Sequence, residues 1–346
     1  MKSIRSFSIG AITALALAAI APAAPATRFK DSVFANVTKT GNVVYGSAKT
    51  HVGATEILDL DIFQPEGDTA QARPLIIWVH GGGFSGGGKE DADVVFLCRT
   101  YARKGYVTAS IDYRLQEGMT TQPVMGAQVV RGVQDAKAAI RYLRAHKADL
   151  KLDDTRFLMG GTSAGGVVTL GCLFMDPGEI PSYVDTALTG GIEGASGTPG
   201  VSSKIHGGIN CWGGLGDSTL LYNGGPPLLS FHGTADNTVP YDIGYSLGNP
   251  NLITFGSACV HRVLTRKNSP STLKPFVGMG HGVPGGDKRL DTLLAMTTDF
   301  AFKTLFTDGT ALRPAPAAKA SAGMAWKPGN RYKVDGRREY RKAARR

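Results

Sequence analysis

With 346 residues, 42% of them hydrophobic and 19% charged, the chain has enough apolar content for one large core and is short enough for a single α/β domain. That composition excludes a disordered chain or a coiled coil, and no internal repeat is present. The formal net charge of +10 is uneven: residues 309–346 hold eleven Lys and Arg against two acidic residues, while residues 27–308 hold 25 against 26.

In chain order, Lys2 and Arg5 precede an apolar run at 9–20 and then the Ala/Pro-rich APAAPA. A basic start, an apolar stretch and small residues in that order predict a secretory leader over residues 1–26, cut near Ala26. The run is shorter than the roughly 20 residues a membrane span needs, so the mature chain is expected to be secreted or periplasmic, without a transmembrane segment. Asn36-Val37-Thr38 is a glycan acceptor only in a eukaryotic host. In an exported chain the four cysteines can pair, and sequence alone leaves three connectivities open. Cys98 and Cys172 sit in helix-like apolar patterns, Cys211 and Cys259 in loop-like surroundings, so a Cys211–Cys259 disulfide is the preferred pairing. No cysteine has metal-ligand spacing.

Residues 42–48 and 56–65 read as an antiparallel strand pair at a sheet edge, because Leu58, Leu60 and Ile62 alternate with Asp59 and Asp61. The next strand, 75–79, is apolar without alternation, as expected when both faces are covered. A helix over 92–104, a strand over 106–111 and a helix over 128–145 follow. In the last of these Val129, Val133, Ala136, Ile140 and Leu143 form one stripe, with Arg131, Lys137, Arg141 and Arg144 largely away from it. Phe157, Leu158 and Met159 open a strand that runs into another helix. Residues 176–203 read as loop, and 205–211, 227–231 and 273–277 as strands before a closing helix at 287–306. Strands alternating with helices in this order predict an α/β fold, a mostly parallel central sheet with helices on both faces.

Gly161-Thr162-Ser163-Ala164-Gly165 lies between a strand and a helix and fits G-x-S-x-G, a turn that exposes the Ser163 hydroxyl at a helix N-terminus. His80-Gly81-Gly82-Gly83 follows a central strand, and its glycines allow backbone N–H groups to converge on an anion. A phosphate loop is disfavoured, since neither G-x-x-x-x-G-K-[ST] nor G-x-G-x-x-G before a helix is matched well. Asp236 sits in a tight loop after the strand end Phe231-His232-Gly233, where a carboxylate can accept the N–H of an imidazole. Asp242 competes for that role, and His232 reads as structural. His281 lies in the Gly-rich loop Gly278-Met279-Gly280-His281-Gly282 after the last strand.

These motifs occur in the order oxyanion loop, Ser163, Asp236, His281, and over residues 44–306 the chain resembles the α/β-hydrolase superfamily. The resemblance is to esterases with an HGGG loop: the hormone-sensitive-lipase-like carboxylesterases and the acetylxylan or feruloyl esterases. It implies Ser163 as nucleophile, His281 as general base and acid, Asp236 as its orienting acid, and the N–H groups of Gly82, Gly83 and Ala164 as oxyanion hole. It implies no metal or organic cofactor. Thr162 stands where the hormone-sensitive-lipase-like group usually has Asp, and no long N-terminal cap segment is present, which favours the exported carbohydrate- or aryl-esterase side.

The expected organisation is a leader at 1–26, an α/β-hydrolase catalytic domain at 27–308 and a basic tail at 309–346. The tail's charge and low hydrophobicity predict disorder and suit an anionic polysaccharide or cell-envelope surface; nucleic acid fits poorly with export. The expected activity is that of a secreted serine carboxylesterase, acting on polysaccharide acetyl or feruloyl esters, aryl esters or polyesters. Two alternatives are a serine peptidase of the prolyl-oligopeptidase type and a non-catalytic binding protein on a hydrolase fold. Loops 117–125 and 176–203 are the candidates for the substrate pocket.

Overall fold

The computed structural model describes residues 27–176, 178–283 and 287–307; the expected leader and basic tail lie outside these described residues. β1 (Val37–Lys49) and β2 (Thr55–Pro65) form the antiparallel edge pair that the alternation predicts, paired from Val37↔Pro65 to Lys49↔Thr55. Asp61, one of the two acids of that alternation, does not face solvent. It is fully buried, held at 2.6 Å by Lys39. A buried carboxylate needs such a partner.

The chain then runs through β3 (Arg73–Val79), α1 (Ala92–Ala102), β4 (Val107–Ile111), α2 (Gln122–Ala145), β5 (Leu152–Thr162), α3 (Ala164–Phe174) and the one-turn α4 (Thr186–Thr189). After these come β6 (Gly208–Cys211), β7 (Gly214–Leu215), β8 (Leu228–Gly233), β9 (Ile243–Tyr245), β10 (Ile253–Gly256), α5 (Ser257–Arg266), β11 (Ser271–Phe276) and α6 (Lys288–Phe302), which closes in a π-helical turn at Lys303–Thr307. Eight strands form one sheet in the order β1-β2-β4-β3-β5-β6-β8-β11, parallel from β4 to β11. A small second sheet, β7-β10-β9, is antiparallel.

All seven residues of β3 are buried, and their side chains divide between two core layers. Leu75, Ile77 and Val79 meet residues of α2, α3 and α5, while Ile76 and Trp78 meet residues of α1 and α6. Helices therefore cover both faces. Trp78 needs a neighbour without a side chain: a Cβ at Gly160 would lie 2.4 Å from its ring.

One expectation is corrected here. Cys211 and Cys259 do not form a disulfide. Cys211 ends β6 and belongs to the layer under α1 and α6, whereas Cys259 lies in α5 and belongs to the opposite layer, so the sheet separates them. The basic residues placed away from the apolar stripe of α2, Arg131, Lys137, Arg141 and Arg144, are all buried. Arg131 donates to Gln116 Oε1 at 3.1 Å, and the excursion after α3 folds over the other three. Lys137 and Arg141 pair with Glu193 at 2.8 and 2.9 Å, Arg141 donates to Ser196 O at 2.8 Å, and Arg144 donates to Lys204 O at 2.7 Å.

Candidate active site

Ser163 stands between the end of β5 and the start of α3 with φ 54° and ψ −116°. A non-glycine residue in that region is strained by about 1–3 kcal/mol and persists only where its surroundings impose it. Here the surroundings are glycine backbones. A Cβ on Gly161 would come within 2.2 Å of Gly165 O, and one on Gly165 within 2.1 Å of Val79 O. Thr162 binds the turn to α1, its hydroxyl donating to Asp93 at 3.0 Å. The side chain that replaces the usual Asp is thus occupied in fastening the elbow to a neighbouring helix.

From this platform Ser163 reaches two residues supplied by distant loops. His281 Nε2 lies 2.8 Å from Ser163 Oγ, and His281 Nδ1 lies 2.7 Å from Asp236 Oδ2. With the carboxylate ionised, Nδ1 carries the proton it donates to Asp236, which leaves the Nε2 lone pair facing the serine hydroxyl. The three residues singled out from the sequence therefore meet in one hydrogen-bonded series. Asp242, the competitor, is engaged elsewhere in an ion pair with Arg262 at 2.7 Å.

Asp236 has a buried carboxylate with every direction filled. Oδ1 accepts the N–H groups of Thr238 at 2.8 Å and Val239 at 3.0 Å, a local Asx turn. Oδ2 faces both His281 and His232, the latter at 3.2 Å. Burial by itself pushes this carboxyl up, but hydrogen bonds from His232 and His281, attraction to His281 and the Val239 N–H outweigh it and hold it well below the usual carboxylate range. His232, expected as a structural residue of the strand end, is fully buried and touches the acid directly.

The Gly-rich loop lies over the elbow. A Cβ on Gly81 would sit 3.3 Å from Ser163 Cβ, and Gly82 and Gly83 take φ of 94° and 61°. A side chain at Gly82 would strike Gly86 O at 2.0 Å, so this turn excludes one. Among the described residues, the N–H groups of Gly82, Gly83 and Ala164 have no acceptor. Tyr113 fastens the loop from beneath, its hydroxyl 3.2 Å from His80 O and 3.1 Å from Gly81 O. At the other end of the loop, Lys89 pairs with Asp59 at 3.0 Å and Asp112 at 3.3 Å.

Beside Ser163 opens a cavity of about 110 Å³ with an apolar lining that includes Met125, Val129, Val167, Leu215 and Leu252. Pro181 and Tyr183 of the second candidate loop line it, as do Gln122 and Met125, which lie in the first turn of α2 rather than in a loop as expected. Residues 246–254, which also line it, were not anticipated. They comprise a single 3₁₀ turn, Ser246–Gly248, a connection and the first two residues of the four-residue β10, too short to carry a pattern of their own. The far part of the second loop goes elsewhere: residues 193–206 border a separate cavity of about 990 Å³ that none of Ser163, Asp236 or His281 lines.

The fold that carries these residues has a counterpart among solved structures. Thermogutta terrifontis esterase 2 phosphorylated by paraoxon superposes with a TM-score of 0.56 over 78% of this chain and 95% of that one, at 24% identity. The chain has the α/β-hydrolase fold. Within this fold, residues 60–174 match the BD-FAE family model, the segment from within β2 through the Gly-rich loop and the elbow to the end of α3. Gut esterase 1 of Caenorhabditis elegans is 28% identical over 129 residues, which is 37% of this chain and 22% of the relative. Carboxylesterase NlhH of Mycobacterium tuberculosis is 32% identical over 96 residues, 28% of this chain and 27% of the relative. The matches thus span about a quarter of the length of these relatives.

Proposed function

We propose that the protein is a serine carboxylesterase that hydrolyses short-acyl esters through an acyl-enzyme on Ser163. The observation that carries this reading is the Ser163–His281–Asp236 series, with hydrogen bonds of 2.8 and 2.7 Å, built on a strained elbow beneath a Gly-rich loop. Ser163 Oγ attacks the ester carbonyl while His281 Nε2 takes its proton, and Asp236 stabilises the imidazolium. The oxyanion is received by the N–H groups of Gly82, Gly83 and Ala164. His281 then protonates the departing alcohol, and water repeats the sequence on the acyl-enzyme. Esterase names among the relatives, and esterase 2 structures with propionate or butyrate bound, favour ester over peptide substrates.

Size supports short acyl groups. The cavity of about 110 Å³ is smaller than the apolar cavities of about 150 Å³ that accept a benzene ring. Acetyl to butyryl groups fit there, and a feruloyl group would have to lie outside. Polysaccharide acetates are therefore preferred over feruloyl esters as natural substrates. Export rests on the leader-like residues 1–26, and attraction to an anionic polymer on the basic residues 309–346.

The test is hydrolysis of aryl esters of increasing acyl length, beside acetylated and feruloylated xylan, with Ser163→Ala as control. Turnover that peaks at two to four acyl carbons and vanishes in the control is the expected result. A folded protein that cleaves none of these esters overturns the reading. Paraoxon provides a second arm: one phosphoryl group should attach to the wild type and none to Ser163→Ala, as read by intact mass.

A further inference from the structure

The buried imidazole of His232 has an environment that defines its protonation. Nε2 lies 3.2 Å from Asp236 Oδ2 and 3.0 Å from Val239 O, two oxygens that only accept. A nitrogen between two such acceptors must carry a proton. Nδ1 lies 2.7 Å from Ser257 Oγ, which also accepts from Asn210 Nδ2 at 3.0 Å and sits 3.3 Å from Gly213 O. The Ser257 hydroxyl has one proton and two places to put it. Given to His232 Nδ1, it leaves that ring neutral; given to Gly213 O, it leaves Nδ1 to be a donor and the ring a cation. The shorter of the two separations is to Nδ1, so the geometry selects the neutral ring.

We propose that His232 is a positioning residue for the acid of the triad: its Nε2–H, held in place by Ser257 and Asn210, aims Asp236 Oδ2 at His281 and tempers the pull of that carboxylate on the His281 proton. The proposal rests on the reading of Ser163, His281 and Asp236 as the ester-cleaving series. The Nε2–H is shared between Val239 O, its nearer acceptor, and Asp236 Oδ2, so that oxygen spreads its charge over the bond from His281 and this longer contact. Without His232 it would act on His281 alone, stabilise the imidazolium more and lose one of its two lateral supports. His281 would then hold its proton to higher pH, and the carboxylate would wander from its line with Nδ1. Other titratable groups near this cluster are few. Tyr241 presents its ring edge to His232 at 5.8 Å, and burial raises its phenol, keeping it neutral. Beyond it Asp242 is paired with Arg262.

Two substitutions separate the two ring nitrogens. His232→Asn reproduces the contact of Nδ1 with Ser257 and removes the donor to Asp236; His232→Gln reproduces the donor. Kinetics on a short aryl ester across pH 5–9 should show kcat lowered about ten- to a hundredfold in the Asn variant, the value of one hydrogen bond to a charged group. KM should be unchanged, and the acid limb should move to higher pH. The Gln variant should recover most of the rate and the wild-type limb. Equal loss in both variants with an unmoved limb would mean that His232 only fills space, and no loss in either would leave it without a role. NMR keeps the proposal independent of turnover. Ring titration of His281 in Ser163→Ala protein should shift upward on adding His232→Asn, and an unmoved titration overturns the proposal even where ester cleavage is absent. If the variants do not fold, the ¹⁵N shifts of wild-type His232 decide. A neutral ring protonated at Nε2 is required, and protonation at Nδ1 at neutral pH overturns it.

Discussion

Asp236 shows how one side chain can serve folding and chemistry through different oxygens. Oδ1 closes the Asx turn with Thr238 and Val239, while Oδ2 meets the imidazoles. Asp236→Asn should therefore fold, because its amide oxygen can still accept the two backbone N–H groups. Its NH₂ would face the N–H groups of both histidines, forcing His281 into the other tautomer, which presents N–H rather than a lone pair to Ser163. We expect kcat on a short aryl ester to fall about 10⁴-fold, as with an equivalent change in a serine protease, with the thermal unfolding midpoint within a few degrees of wild type. A loss of less than about tenfold would show that Asp236 does not orient the base. The sequence narrowed the carboxylate facing the histidine to Asp236 or Asp242, because both follow a strand end in one loop. That His232 would share its oxygen was not legible, since the alternating side chains of a strand do not reveal which buried neighbour they meet.

At the scale of elements, the elbow is a three-way contact between β3, β5 and α3. Glycine at 161 and 165 is required because backbone, not side chain, lies where a Cβ would go. Gly165→Ala would place its methyl 2.1 Å from Val79 O, in a strand hydrogen-bonded on both sides to β4 and β5. Neither partner can yield without breaking the sheet. The expected cost is about 3 kcal/mol or more, at the upper end for overpacking, measurable by urea unfolding; a loss below about 1 kcal/mol would mean that the elbow is pliable. Elements with strong local signals are read closely: β3, α1 and the apolar stripe of α2 lie where their patterns put them. α2 begins earlier than its stripe, with Pro in its first turn, where a missing N–H costs nothing. α5 was missed, although Cys259, Val260, Val263 and Leu264 have helical spacing and are all buried. The minor sheet was missed for a different reason: its three strands have no pattern of their own and exist only by pairing.

For the whole molecule, burial of titratable groups sets the response to acid. Desolvation lowers the pKa of His80 and His206 from 6.5, so both are held neutral in the fold. His206 Nδ1 lies 3.1 Å from the Phe157 amide nitrogen and 3.2 Å from the Phe157 carbonyl oxygen, so protonation there exchanges one backbone partner for the other, and burial is what opposes it. Below pH 6.5 the unfolded chain binds protons at these positions while the folded chain does not, so stability falls as pH falls from 6.5 toward the lowered folded values. His206→Asn can keep the acceptor and does not titrate. The wild type should therefore lose unfolding midpoint relative to His206→Asn between pH 7 and pH 5, and parallel curves would exclude the histidine. A second loss belongs to Glu193. Burial raises its pKa, but Lys137, Ser203 and Arg141 lower it further than burial raises it, below 4.5. Its contribution is complete above 4.5 and disappears as pH falls through the folded value.

The sequence alone determined the α/β alternation, the Gly-flanked serine, the Gly-rich loop and the order of serine, acid and histidine, because each is written in local spacing that short-range sterics enforce. Tertiary structure alone decided what those residues meet. It put Cys211 and Cys259 on opposite faces of the sheet, laid the loop after α3 over three buried basic residues of α2, set Asp236 rather than Asp242 against His281 while giving Asp242 an arginine, and closed the cavity beside Ser163 with segments far apart in the chain. Such contacts depend on how layers pack, and packing joins residues whose separation along the chain carries no trace of their proximity.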